Sequence, residues 1–312
     1  MQFWPRSRAR YSYVRIRNWS TSKEPKLLGF AGYKVGMTHV LINDNRANSL
    51  TKGTDVFYPI TIVECPPLKT ASIRFYKNNQ YGPKLAGELF SDSVGKEIER
   101  KITIPKKKGK EQNNFDFIRL LCYTQPTLAG IGKKKPEIFE IAIGGNKEQQ
   151  LTYAKEKLGK EININEVFKE GQQLDIHSLT RGKGFQGPVR RFGIQLRSHK
   201  SEKSRRNPGS LGPWKAQGHV MWRVAHAGKT GYHLRTEYNK QLIKIGNKSD
   251  EINTKGGVLH YGVVKNTYIL VKGSISGAQK RLIRFTDASR SKKINEDPPQ
   301  LTYTSIESKQ GR

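Results

Sequence analysis

The stretch from Thr180 to Thr236 opens TRGKGFQGPVRRFGIQLRSHKSEKSRRNPGSLGPW, closes GHVMWRVAHAGKTGYHLRT, and sets the tightest limit on how this chain can fold. Ten Lys or Arg residues lie between Arg181 and Lys215 against one acid, Glu202, and the apolar residues follow neither a helical nor a strand period. Six glycines (Gly182, Gly184, Gly187, Gly193, Gly209, Gly212) and three prolines (Pro188, Pro208, Pro213) interrupt any long element. Too few side chains are apolar to offset the entropy of ordering it. Such a segment needs something outside the chain to hold it, and its charge asks for closely spaced phosphates.

The whole chain points the same way. Its 312 residues carry 57 Lys plus Arg against 26 Asp plus Glu, a formal net charge of +31. Self-repulsion of that size is relieved by a polyanion, with counterion release driving association, so nucleic acid is the leading partner. A membrane surface would also attract the charge, but no apolar run approaches the ~20 residues of a membrane span. The start, MQFWPRSRARYSYVRIRNW, lacks the apolar core of a signal peptide. Cys65 and Cys122 stand in apolar, strand-like runs without CxxC spacing and are expected to be buried, reduced thiols.

Read in order, residues 1–26 form a basic, aromatic tail in which Arg6, Arg8, Arg10, Arg15 and Arg17 interleave with Phe3, Trp4, Tyr11, Tyr13 and Trp19. Arg with aromatics suits phosphate pairing and base stacking, so the tail is expected to thread RNA; the alternative is a strand whose aromatics cover the domain. From Leu27 short β-branched and aromatic runs begin, separated by Gly, Asn, Asp and Pro, the pattern of an antiparallel barrel or sandwich. Gly29, Gly32 and Gly36 inside the first run predict bulges or close backbone approach. Residues 27–180 are the first part of this β unit, with a polar and helical insertion over about 82–168. Within it QLTYAKEKLG predicts a helix ending at Gly159, and INEVF a second, capped by Asn163 or Asn165. Two lysine triplets, Lys106–Lys108 and Lys133–Lys135, are either solvated loops or phosphate contacts. Residues 181–235 are a central extension, 236–288 supply the closing strands, with a hairpin near Lys265 and Asn266, and 289–312 are a polar, irregular tail.

Enzymatic motifs fail on context. Gly182, Gly184 and Gly187 satisfy G-x-G-x-x-G after a strand-like run, but Pro188 follows and VRRFGIQL shows no helical period, so no dinucleotide site is expected. His219, His226 and His233 are spaced by sevens, yet Gly228 and Gly231 argue against one helix, and hydrogen-bonding or stacking roles are expected rather than a metal. No paired carboxylates, GxSxG or Cys/His pair is present, and no cofactor or small-molecule substrate is expected. Trp214, in GSLGPW, has no apolar neighbours to form a core around it and reads as a ring delivered into a partner to stack or wedge; the alternative is that it packs back on its own barrel. Trp222 reads as a packed residue.

The strings GYKVGMTHV, GKGFQGPVRRFGIQ, LGPW, HVMWRVAHAGKTGYHLRTEYNK and LVKGSISGAQKRLIRF occur in this order and together closely resemble the universal large-subunit ribosomal protein three family in its archaeal and eukaryotic form. The resemblance spans roughly residues 27–285. It implies a mainly β fold with an α insertion: a six-stranded β-barrel of the translation-protein type with long irregular RNA-binding extensions. It implies a non-enzymatic, cytoplasmic constituent of the large ribosomal subunit, bound to large-subunit rRNA and to neighbouring ribosomal proteins. The central extension would run toward the peptidyl transferase centre, with Trp214 as a tryptophan finger and Arg206 as the basic residue beside it. The residues expected on RNA are Arg6, Arg8, Arg10, Arg15 and Arg17 in the tail; Arg181, Lys183, Arg190 and Arg191 early in the extension; and Arg197, Lys200, Lys203, Arg205, Arg206, Trp214 and Lys215 nearer its tip. The eukaryotic form carries a modified histidine where Glu202 stands here, with His199 three residues away, so no modification is carried over. An RNA-modifying enzyme with a basic substrate-gripping arm is the alternative, and a DNA binder of the chromatin type a third.

Overall fold

The computed structural model describes residues 5–46, 48–201, 203–213, 218–291 and 298–308. The first half of the chain contributes β1 (Gly29–Asn43), β2 (Asp55–Glu64), β3 (Leu68–Asn79), β4 (Gly82–Phe90), β5 (Phe117–Tyr123), β6 (Ile138–Ala142) and the helix α1 (Lys147–Lys157). Then come β7 (Glu161–Ile162), β8 (Gln173–Leu179), β9 (Phe185–Gln186), α2 (Pro188–Phe192), β10 (Gly228–Lys229) and β11 (Leu234–Gly246). The last strands are β12 (Tyr268–Lys272), β13 (Leu282–Asp287) and β14 (Leu301–Thr304). The molecule is mainly β, as its alternating runs predict. It divides into two compact units, one of Tyr13–Ser178 with Thr236–Arg312, the other of Met1–Ser12 with Leu179–Arg235.

In the larger unit a seven-stranded sheet runs in the order β13-β8-β11-β12-β2-β1-β14, and β13 also pairs with β1. β1 is long enough to serve three partners: β13 along Gly29–Tyr33, β2 along Tyr33–Asn43 and β14 along Val40–Ile42. The glycines expected to bring backbones together do so. A Cβ at Gly32 would stand 2.7 Å from the Glu64 carbonyl oxygen and one at Gly29 2.7 Å from that of Phe285. The register of β1 on β2 shifts between Lys34 and Gly36, the bulge expected there. A second sheet, in the order β4-β3-β5-β6 with β7 on β3, holds the insertion. Helix α1 lies against it: the Gln150 carboxamide accepts from the Ile118 amide (3.1 Å), and Ala154 is buried. The core joins Phe30, Tyr33, Phe75, Phe168, Tyr268 and Phe285, with both cysteines buried and free.

Four sequence expectations need correction. The polar stretch after residue 82 begins with a strand, β4, because β3 offers it an open edge along Ser72–Asn79. INEVF makes only a 3-10 turn, Ile164–Glu166, capped by Asn163 and Glu166. The polar C-terminal stretch contains β14, which pairs with β1 and so is not irregular throughout. The run GGVLHYGVV is a loop rather than a hairpin arm, because a buried carboxylate gathers it: Glu64 accepts from the amides of Lys265 and Asn266 (both 2.9 Å), from the Asn266 side chain (2.8 Å) and from the Tyr261 hydroxyl. Among the described residues no salt bridge engages Glu64; neutral donors satisfy its buried oxygens, and removing them would leave buried acceptors without partners.

The first residues divide by unit. Val14 and Ile16 are buried in the larger unit while Arg15 and Arg17, which alternate with them, are exposed, the period-two pattern of an extended segment on a core. Tyr13 and Trp19 pack against the same core, so here the covering reading of the aromatics holds. The buried Arg284 guanidinium fixes the segment, donating to the Val14 carbonyl (2.8 Å) and the Glu140 carbonyl (2.6 Å) while lying 4.3 Å from the Phe139 ring centroid.

Candidate nucleic-acid interface

The smaller unit begins as an antiparallel ladder. Thr180 donates to the His233 carbonyl (2.9 Å), Tyr232 returns a bond to Thr180 (3.2 Å), and Lys183 with Thr230 and Gly184 continues to the β9–β10 pair. Gly231 makes this possible: its φ is +81°, and any Cβ would stand 2.1 Å from the Arg181 carbonyl oxygen.

Residues 5–12 dock on the same ladder. The Ala9 amide donates to the Tyr232 carbonyl (2.8 Å), and the Arg8 guanidinium lies 5.6 Å from the Tyr232 ring centroid. His233 supplies the central tie. Its Nε2 accepts from the Gly231 amide (3.0 Å), which leaves the proton on Nδ1 to donate to the Ser7 carbonyl (2.8 Å). The neutral Nδ1–H tautomer is therefore built in, and His233 has the hydrogen-bonding role expected of it. His226 likewise donates Nε2–H to the Met221 carbonyl (3.0 Å).

The cations of this unit meet almost no opposite charge. Its sequence holds sixteen Lys and Arg and the single acid Glu202, which lies outside the described residues. Arg6 donates to the Arg191 carbonyl and lies 4.5 Å from the Phe192 ring centroid; Arg191 lies 5.1 Å from it and donates to the His226 carbonyl (2.9 Å). Arg197 donates through Nη2 to the Pro208 carbonyl (2.6 Å) and accepts from Arg205, which closes a tight basic loop. Lys200, Lys203, Arg205 and Arg206 are exposed on that loop, as are Arg181, Lys183 and Arg190 nearer its root, while Arg10 leans on Tyr11. Trp214 and Lys215 lie outside the described residues. The structure thus brings Arg6 and Arg191 together at Phe192, sets Arg8 on Tyr232, groups Arg197 with Lys200, Lys203, Arg205 and Arg206 on one loop, and leaves Arg15 and Arg17 on the larger unit.

Two expectations fail here. Trp222 is 70% exposed, because its surroundings are the same glycine-rich, basic stretch that offers no core. A helix does follow the third glycine of G-x-G-x-x-G, since Pro188 sits well in a first turn, but α2 lasts five residues and ends at Gly193 with φ +68°. Sequence reasoning missed the docking of the tail on the ladder. The alternation of Arg6, Arg8 and Arg10 was its one signal, a period of two that an added strand requires.

In the larger unit 41 Lys and Arg stand with 25 Asp and Glu, and part of that positive charge is paired within the fold. Glu140 binds Arg74 (2.6 Å) and Arg119 (3.1 Å); Glu137 binds Lys101 (3.1 Å) and Lys133 (2.5 Å); Asp92 pairs with Lys108. One lysine of each triplet is thereby engaged within the fold.

A family model described as ribosomal protein L3 matches residues 1–115 and 108–311. Large ribosomal subunit protein uL3 of Archaeoglobus fulgidus is 47% identical over an alignment covering 100% of this chain and 97% of that protein. The proteins of the same name from Methanobrevibacter smithii and Methanocaldococcus jannaschii are each 44% identical, covering 99% and 100% of this chain and 96% of each relative. Matched by the family model and by these relatives along nearly its whole length, the chain belongs to the ribosomal protein L3 family.

Proposed function

We propose that this chain is built into the large ribosomal subunit in the cytoplasm, where it binds large-subunit rRNA and neighbouring ribosomal proteins. Family membership makes it a structural ribosomal protein rather than an enzyme. The observation that carries the RNA reading is the unit of Leu179–Arg235 with the first residues: sixteen cations, one acid, and no member of either hydrophobic core cluster among its described residues. Such a unit is completed by phosphates, whose contacts position it while base contacts add specificity. The additional pairing of β13 with β1 supports closure of β1, β2, β12, β11, β8 and β13 into a six-stranded barrel. In this reading residues 27–180 and 236–288 form that barrel with its insertion, and residues 1–26 and 289–312 are tails. Residues 181–235 run toward the peptidyl transferase centre. Trp214 is the finger at the tip, and the extension supports subunit assembly and accommodation of aminoacyl-tRNA.

Sedimentation of cell extract on a sucrose gradient after a high-salt wash tests this reading. The chain is expected to stay with the large subunit through the wash, as a threaded component does. A chain that runs free, or that washes off while other core proteins remain, would overturn the reading.

A further inference from the structure

Four observations converge at the foot of the extension. Arg6 and Arg191 lean on one ring, Phe192, at 4.5 and 5.1 Å, and Arg6 donates to the Arg191 main chain. Arg191 is held from the other side: it donates to the His226 carbonyl (2.9 Å), and a Cβ on Gly228 would stand 2.8 Å from its Nη1. The Arg191 Nε is buried without a hydrogen-bond partner. Burial, and then the charge of Arg6, push Arg191 below the ordinary guanidinium range, and the same two causes lower Arg235. Like charges are thus brought together by neutral carbonyls and a ring, with no acid among the described residues of this unit to offset them. Each guanidinium is a planar fork that matches phosphate oxygens, and both lie on the same ring, Phe192.

We propose that Arg6 and Arg191, flanking Phe192, form one clamp for a single RNA phosphodiester, assembled when the N-terminal segment docks on the ladder of the extension. The clamp rests on the RNA reading above and adds to it a specific composite subsite. Neither arginine suffices alone. Ser7, Ala9 and His233 place Arg6, and His226 with Gly228 places Arg191, so the tail has a role in the site besides adding charge.

The test is a mutant cycle read by filter binding of the full chain to a large-subunit rRNA transcript across a range of salt. Arg6→Gln and Arg191→Gln are each expected to weaken binding by about tenfold and to lower the log–log salt slope by about one. The double variant should bind within about twofold of either single one, its slope still lower by only about one. Arg6→Lys, which keeps the charge and loses the fork, should lose affinity in the same direction as Arg6→Gln while its salt slope stays near the parent's. Phe192→Leu, which spares the Arg191–His226 bond and both charges, should also be non-additive with Arg6→Gln. Losses that multiply, a slope lower by about two, or an Arg6→Lys chain that binds as the parent does would place the arginines on separate phosphates and overturn the clamp alone. A parent chain that prefers this transcript no more than an unrelated RNA of equal length would overturn the RNA reading beneath it.

Discussion

His177 shows how a single residue makes this fold sensitive to acid. Its ring lies between two hydroxyls, Nδ1 3.0 Å from Thr236 Oγ1 and Nε2 3.1 Å from Thr286 Oγ1, on the strand that pairs with β13 at the buried Arg284. Burial, and then the Arg284 charge, hold its pKa down to about 4, with Asp175 opposing. The unfolded imidazole titrates near its ordinary value of about 6.5. Between these limits the unfolded chain binds a proton that the folded chain refuses, so stability declines as pH falls from about 6.5 toward 4 and is unaffected above. The full shift corresponds to on the order of 3 kcal/mol, less whatever solvent screening removes. Denaturant unfolding at pH 4.5 and 7.5 should therefore show a smaller pH difference for His177→Gln than for the parent. An identical difference in both would mean that other groups, chiefly carboxylates, carry the acid sensitivity.

At the scale of elements, the ladder between residues 180–186 and 228–233 depends on a backbone conformation that only glycine takes without strain. Gly231→Ala would place a methyl group 2.1 Å from the Arg181 carbonyl oxygen at φ +81°, an overlap of backbone with backbone that no rotamer relieves. The expected loss is at least about 2 kcal/mol, confined to the ladder. Amide exchange should find protection lost at Thr180, Lys183, Thr230 and Tyr232 and retained in β12 and β13. Uniform loss across the chain would mean that the ladder supports the core after all. The same elements show what a sequence exposes and what it hides. The long β1, the close approaches at Gly29 and Gly32, and α1 with its end near Gly159 were legible, because period, glycine and capping residues are local signals. The pinning of residues 261–266 by Glu64 was not, since its partners stand some two hundred positions away. The exposure of Trp222 was legible in the glycine-rich, basic stretch around it, although VMW itself reads as a packed run. In the candidate interface the residue types were legible and their grouping was not: Arg6 meets Arg191, 185 positions away, only because a strand-like tail docks on the edge at Tyr232.

At the scale of the whole molecule the two units carry similar net positive charge, but the larger sets many of its cations against acids over a continuous core, and the smaller has one acid for sixteen cations. All but Glu202 of the 26 acids belong to the larger unit, where they pair with lysines and arginines over a continuous core. The smaller unit has cations held by carbonyls and rings, which fix direction without neutralising charge. Its stability is therefore linked to an anion, in the way that any partner binding only the ordered state stabilises it. Trypsin makes the difference measurable, because its cleavage sites are these same residues. The free chain should be cut first among Arg197, Lys200, Lys203, Arg205 and Arg206, on a loop that core packing does not protect. The two products should remain together in native gel filtration, since β8 and β13, and β12 and β2, pair strands from opposite sides of the cut. In salt-washed large subunits the same sites should resist digestion. If the free chain were cut first between β3 and β6, or if subunits gave no protection, the arm would be ordered by its own contacts, and its sixteen cations would need another explanation.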